Sequence, residues 1–181
     1  MKKLLICNIK MNGLPSSVVY QCPTQDIPVS KETFYYPVNS YLSQTLTPED
    51  EYKVLMLVKK NDQYDYKELT GAFMEELNQC NEKIGAKIEY VTVDTEFEES
   101  QDVHSELIKR VVDEIEDGSQ LLVDMTFGPK DQAILLFTIL HFAEKFLGCD
   151  LERILYGKSV FNAEGKIIQS DICDMDSLYY L

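Results

Sequence analysis

The chain has 181 residues, 45% of them apolar and 27% charged, which suits one domain with a proper core. Its net charge of −14 disfavours a duplex DNA or RNA groove, but leaves room for a compact phosphorylated ligand held by a few lysines. The longest apolar runs, Val54 to Val58 and Ala133 to Phe137, are too short to span a bilayer. The N-terminal lysines lead into a short apolar run with no small-residue cleavage site, so a cytoplasmic single domain over residues 1–181 is expected. Five scattered cysteines, never spaced C-x-x-C, suggest neither a zinc site nor a disulfide framework. His104 and His141 are far apart in sequence and give histidine catalysis or metal binding little material.

Lys3 to Ile9 reads as a first strand, ending in the polar loop Asn8 to Gly13. Residues 14–50 carry five of the six prolines. Within them Val18 to Cys22 is a candidate short strand, and Tyr35 to Leu46 a short helix with Pro37 near its start. Tyr52 to Lys59 is a buried strand, charged only at its ends. Leu69, Phe73, Leu77, Cys80 and Ile84 make one apolar stripe on a helix from Tyr66 to Ile84, which Gly85 stops. Lys87 to Val93 is the next strand. Asp94 to Asp102 is an acidic connector whose carboxylates suit the N-terminus of a helix over Val103 to Ile115.

Gln120 to Asp124 is a further strand. The helix after it, Asp131 to Leu147, is apolar nearly all round in its first half and must be covered on several sides, by the sheet and by a dimer partner. Leu151 to Tyr156 is a last core strand. Ser159 to Phe161 and Lys166 to Ser170 flank Asn162 to Gly165 as a hairpin. The alternation predicts an α/β fold: a Rossmann-like, mostly parallel sheet, helices on both faces, and a C-terminal hairpin. Ligands bind at the strand C-termini of such sheets. That edge collects Asn8 to Gly13, Lys59 to Asp62, Val93 to Thr95, Asp124 to Lys130 and Tyr156 to Lys158.

Asp124-Met125-Thr126-Phe127-Gly128-Pro129-Lys130 offers a carboxylate, a hydroxyl, a glycine that admits close backbone approach, and a cation beside free helix N–H groups. The plainer reading is an ordinary strand-to-helix turn, with Thr126 as N-cap and Pro129 in the first helical turn. Spacing alone does not separate the two. Neither G-x-G-x-x-G nor G-x-x-x-x-G-K-[ST] occurs, so the usual dinucleotide fold and the P-loop are both unsupported, and no cofactor is called for.

VDMTFGPKDQAILLFTILHFAEKF followed by ILYGKSVFNAEGKIIQSDICDMDSL resembles the D-x-T-H-G family of CRISPR-associated proteins. These carry a CARF domain, the CRISPR-associated Rossmann fold. In that family a strand ends in D-x-T-H-G, a long apolar helix follows, then a strand ending in Y-G, a hairpin and an acidic D-l/i-x segment. The matching residues are Asp124, Thr126, Gly128, Tyr156-Gly157 and Asp171-Ile172, in the same order over about sixty residues. Phe127 stands where the family has histidine, and Lys130 supplies the basic residue two after the glycine.

The resemblance implies a homodimer enclosing one cyclic oligoadenylate, tetra- or hexa-adenylate, the second messenger of type III CRISPR systems. Implied ligand contacts are Asn8, Lys10, Asn12, Asp124, Thr126, Phe127, Gly128, Lys130, Tyr156, Gly157 and Lys158. CARF domains usually serve as sensors for a fused or separate effector. The apolar end Ser177 to Leu181 suits the start of a linker helix. The alternative is a stand-alone, metal-independent ring nuclease, with Lys10, Thr126 and Lys130 positioning the ribose and stabilising charge. A third reading, from a different class, is a Rossmann-like enzyme acting on a mononucleotide.

Overall fold

In the computed structural model, which describes residues 2–181, the chain runs β1 (Lys2–Asn8), β2 (Val18–Val19), β3 (Thr33–Phe34), α1 (Pro37–Thr45), β4 (Glu51–Lys59), α2 (Tyr66–Asn81) and β5 (Lys87–Thr95). It continues α3 (Gln101–Asp113), β6 (Gln120–Asp124), α4 (Lys130–Phe146), β7 (Asp150–Phe161), β8 (Ile167–Asp174) and α5 (Asp176–Tyr179). Six strands form one sheet in the order β5-β4-β1-β6-β7-β8. The first five are parallel, and β8 runs antiparallel to β7. This is the Rossmann-like α/β architecture that the alternation of patterns predicts.

From β1 the chain moves outward through α1 to β4 and through α2 to β5. It then returns past β1 to β6 by way of α3, and goes outward the other way through α4 to β7. Right-handed crossovers in opposite directions put the two helix pairs on opposite faces. The core divides to match. Leu5, Cys7, Val54, Met56 and Leu122 pack with Val38, Leu42, Phe73 and Leu77. Their strand neighbours Leu4, Ile6, Leu55, Leu57, Leu121 and Val123 pack with Leu107, Val111, Leu136 and Leu140. Successive strand residues point to opposite faces, and both faces are covered, so these strands read as unbroken apolar runs.

Several boundaries differ from expectation. Only Val18–Val19 of the expected Val18–Cys22 strand pair in a ladder, with Thr33–Phe34. Gln21 instead bridges to β8: its N–H donates to the Ser170 carbonyl at 2.9 Å and its carbonyl accepts from the Ile172 N–H at 2.7 Å. That bridge covers part of an otherwise free sheet edge. β5 takes two more residues, Asp94 and Thr95, out of the acidic connector, and α3 begins at Gln101 with Ser100 as its N-cap. The core strand and the hairpin arm, expected as separate pieces, are one twelve-residue strand, β7. Gly157 and Lys158 do not break it, because both are paired with β8. At the C-terminal end, Tyr179 of α5 is buried against α4, stacking on His141 at 4.3 Å and donating to Glu144 at 2.6 Å. Among the described residues no helix is long and apolar enough to cross a membrane.

Candidate functional site

The strand order reverses direction at β1 and β6, which are paired. A crossover leaves β1 toward one face and β6 toward the other, so their C-terminal ends open a crevice. Asn8 to Gly13 follows β1, and Met125 to Pro129 follows β6. The opposite, N-terminal edge also holds a cleft of about 270 Å³. There Lys2, Lys3, Lys53 and Lys87 are each matched by a carboxylate, of Glu116, Asp50, Glu114 and Glu51, so little charge is left for a ligand.

The turn after β6 is held by its own side chains. Asp124 is 2% exposed and faces α1. Its Oδ1 accepts the Thr126 N–H at 2.9 Å and the Thr126 hydroxyl as well. The Thr126 hydroxyl oxygen accepts the Gly157 N–H at 2.8 Å, tying the turn to β7. Asp124 Oδ2 is buried without a hydrogen bond. Burial therefore raises the Asp124 pKa to about 6, against the Thr126 bonds and the nearby Val38 N–H at the start of α1.

Two glycines are required by close packing. A Cβ on Gly128 would lie 2.8 Å from Asn8 Cγ, and the residue has φ +97°. A Cβ on Gly157 would meet Thr126 Cγ2 at 2.9 Å and Pro37 Cγ at 3.0 Å. Thr126 is not the helix N-cap: that position is Pro129, with α4 starting at Lys130, because the Thr126 hydroxyl is already committed to Asp124 and Gly157. Phe127 turns toward the core. Its ring meets Tyr36 edge-on at 5.3 Å, and Tyr36 meets Phe73 in the same way at 4.9 Å.

The other expected residues fall on the same edge. Asn8 is buried, with its Oδ1 unbonded. The Lys10 N–H donates to the Tyr36 hydroxyl at 3.3 Å, and its ammonium to the Asn12 carbonyl at 3.2 Å. Asn12, Lys130 and Lys158 are exposed, as is Tyr156. Among the described residues Lys10, Lys130 and Lys158 have no carboxylate partner, in contrast to the lysines of the opposite edge.

A second constellation lies on the α3 and α4 side of the same edge. Lys59 ends β4 in register with Leu55 and Leu57, so it points to their face, and only 3% of its side chain is exposed. Its ammonium lies 3.6 Å from Asp131 Oδ2 and 3.7 Å from Glu99. The Phe97 ring stands over it at 5.4 Å. His104 Nε2 is 2.9 Å from the same Asp131 oxygen. Burial pushes the Asp131 carboxyl up, but the His104 bond and the Lys59 charge together leave it below the usual range. No motif or spacing in the sequence joins Lys59, His104 and Asp131. The legible signals were a lysine ending an apolar strand and a histidine in the inward stripe with Leu107 and Val111. What brings His104 to Asp131 is the packing of α3 on α4.

Comparison with protein-family models and with curated proteins finds no match to this chain. The class that the fold defines is a Rossmann-like α/β protein with its crevice between β1 and β6.

Proposed function

We propose that this chain is a sensor domain of the CARF type, binding one cyclic oligoadenylate across a homodimer in a type III CRISPR antiviral response. The observation that carries the reading is the turn from Asp124 to Lys130. It is built internally, by Asp124, Thr126 and Gly157, and delivers at the start of α4 a lysine with no carboxylate partner among the described residues. The N–H groups of a first helical turn and a lysine beside them suit a phosphate. Lys10 and Lys158 add cations, and a two-fold axis would double all three. A ring of a few nucleotides suits a molecule whose net charge, −14, repels long polyanions. The order D-x-T-x-G, apolar helix, Y-G and hairpin supports the family resemblance. Phe127 departs from it, and its packing on Tyr36 makes it a core residue of the turn.

Calorimetry with cyclic tetra-adenylate and cyclic hexa-adenylate tests this. The expected result is micromolar or tighter binding of one of them, at one ligand per two chains. No binding of either overturns the reading. One mononucleotide per chain would favour a Rossmann-like enzyme instead. Lys130→Ala should weaken binding at least tenfold and leave the dimer unchanged in sedimentation.

A further inference from the structure

Tyr36 is wholly buried, yet it reaches both loops of the crevice. Pro37 follows it and disfavours a helical conformation at Tyr36, which is extended (φ −111°, ψ 128°) and stands as the N-cap of α1. Its backbone is fixed from α2. Glu76 accepts the Tyr35 and Tyr36 N–H groups at 2.7 and 3.1 Å, and the Asn39 side-chain amide at 2.9 Å. Its ring meets Phe73 edge-on at 4.9 Å and Phe127 at 5.3 Å. So held, the Tyr36 hydroxyl accepts the Lys10 N–H at 3.3 Å. Burial pushes that hydroxyl well above its ordinary pKa, so it stays protonated and neutral. The loop it meets has little else to fix it. The Ile9 N–H still donates to the Leu57 carbonyl, at 2.9 Å. From Lys10 to Ser17 the described residues make two hydrogen bonds, both at Lys10: the one to Tyr36, and that of its ammonium to the Asn12 carbonyl at 3.2 Å.

We propose that Tyr36 is a positioning residue for the anion site, its hydroxyl setting the backbone at Lys10 and its ring tying that loop to the turn that carries Lys130; the proposal rests on the oligoadenylate reading. Tyr36 is 0% exposed and does not touch the ligand. It acts by narrowing the arrangements that the Lys10 loop can take before a ligand arrives. A loop already ordered loses less entropy on binding. Without the hydroxyl, the Lys10 N–H has no other acceptor among the described residues. Phe127 brings the same ring against the turn after β6, and Gly128, with no Cβ, lets Asn8 lie against that turn as well. Two contacts, Asn8 on Gly128 and Tyr36 on Phe127, thus hold the loop after β1 and the turn after β6 as one unit.

The test compares the full native chain with Tyr36→Phe, which keeps both ring contacts and removes only the hydroxyl. In the free proteins, hydrogen exchange followed by NMR should show the Lys10 amide protected in the native chain and about tenfold less protected in Tyr36→Phe, with the β1 amides unchanged. Calorimetry with cyclic tetra- and hexa-adenylate should show about fivefold weaker binding by Tyr36→Phe, the net worth of one hydrogen bond. Lys10→Ala should weaken binding by itself, and adding Tyr36→Phe to it should cost nothing further, because the hydroxyl acts through Lys10. A general structural role would instead lower affinity by the same factor in both backgrounds. That result, or unchanged protection of the Lys10 amide in Tyr36→Phe, overturns this proposal and leaves the sensor reading intact. No binding of either ring by the native chain overturns both.

Discussion

Asp124 is a carboxylate whose position serves the turn at a cost to the fold. One oxygen gathers both donors of Thr126, while the other is buried without a bond. Burial raises its pKa to about 6, so the folded state holds a proton that the unfolded chain has released. The sign follows: stability from this group is fully present below about pH 4, where both states are protonated, and is lost as pH rises through about 6. Two pKa units correspond to about 3 kcal/mol. Asp176 shifts the same way, to about 6, through burial and the neighbouring Asp174, and burial pushes Glu76 up too. The informative quantity is therefore a difference. Urea denaturation from about pH 4 to about pH 7 should show a smaller loss of stability in Asp124→Asn, which keeps an acceptor for Thr126, than in the native chain. Equal losses in the two proteins would show that the carboxylate is ionised without penalty.

At the scale of elements, α4 is the helix that the sheet does not fully cover. Leu136, Ile139, Leu140 and Ala143 are buried in the core, and α5 brings Tyr179 onto another side. Ile134 remains 69% exposed and Phe146 63%, with Phe142 between them at 40%. Phe142 and Phe146 pack ring against ring at 5.0 Å, and Ile134 lies about two turns earlier, beyond the exposed Thr138. In the proposed homodimer, exposed apolar side chains of this kind would contact a second copy of the chain. Ile134→Glu should shift the chain from dimer to monomer in analytical ultracentrifugation, with its circular dichroism unchanged. A dimer that survives this change would place the interface elsewhere.

For the molecule as a whole, charge is unevenly used. Net charge is −14, yet among the described residues Lys10, Lys130 and Lys158 have no carboxylate partner at the C-terminal edge of the sheet. Local cations bind a compact anion through short-range contacts, whereas a long polyanion also meets the acidic remainder of the surface. In direct competition a long linear oligoadenylate should therefore fail to displace cyclic tetra- or hexa-adenylate at physiological salt. Efficient displacement would point to a nucleic-acid groove instead.

The α/β alternation, the buried strands at Tyr52 to Lys59 and Gln120 to Asp124, and the turn from Asp124 to Lys130 were legible along the chain. Each is a local matter of period, apolar run and turn residue, with signals a few residues apart. The joining of the last core strand to the hairpin was not legible, because Gly157 reads as a break until β8 pairs beside it. Nor was the use of Thr126, whose hydroxyl is claimed by a backbone N–H thirty-one residues away. The same holds for the meeting of Lys59, His104 and Asp131, which come from β4, α3 and α4. The sequence by itself determined the main core strands and the helices between them, and which turn is polar. Only the tertiary structure decided what that turn holds and which charges share its edge, since contacts between distant segments depend on strand order and helix packing.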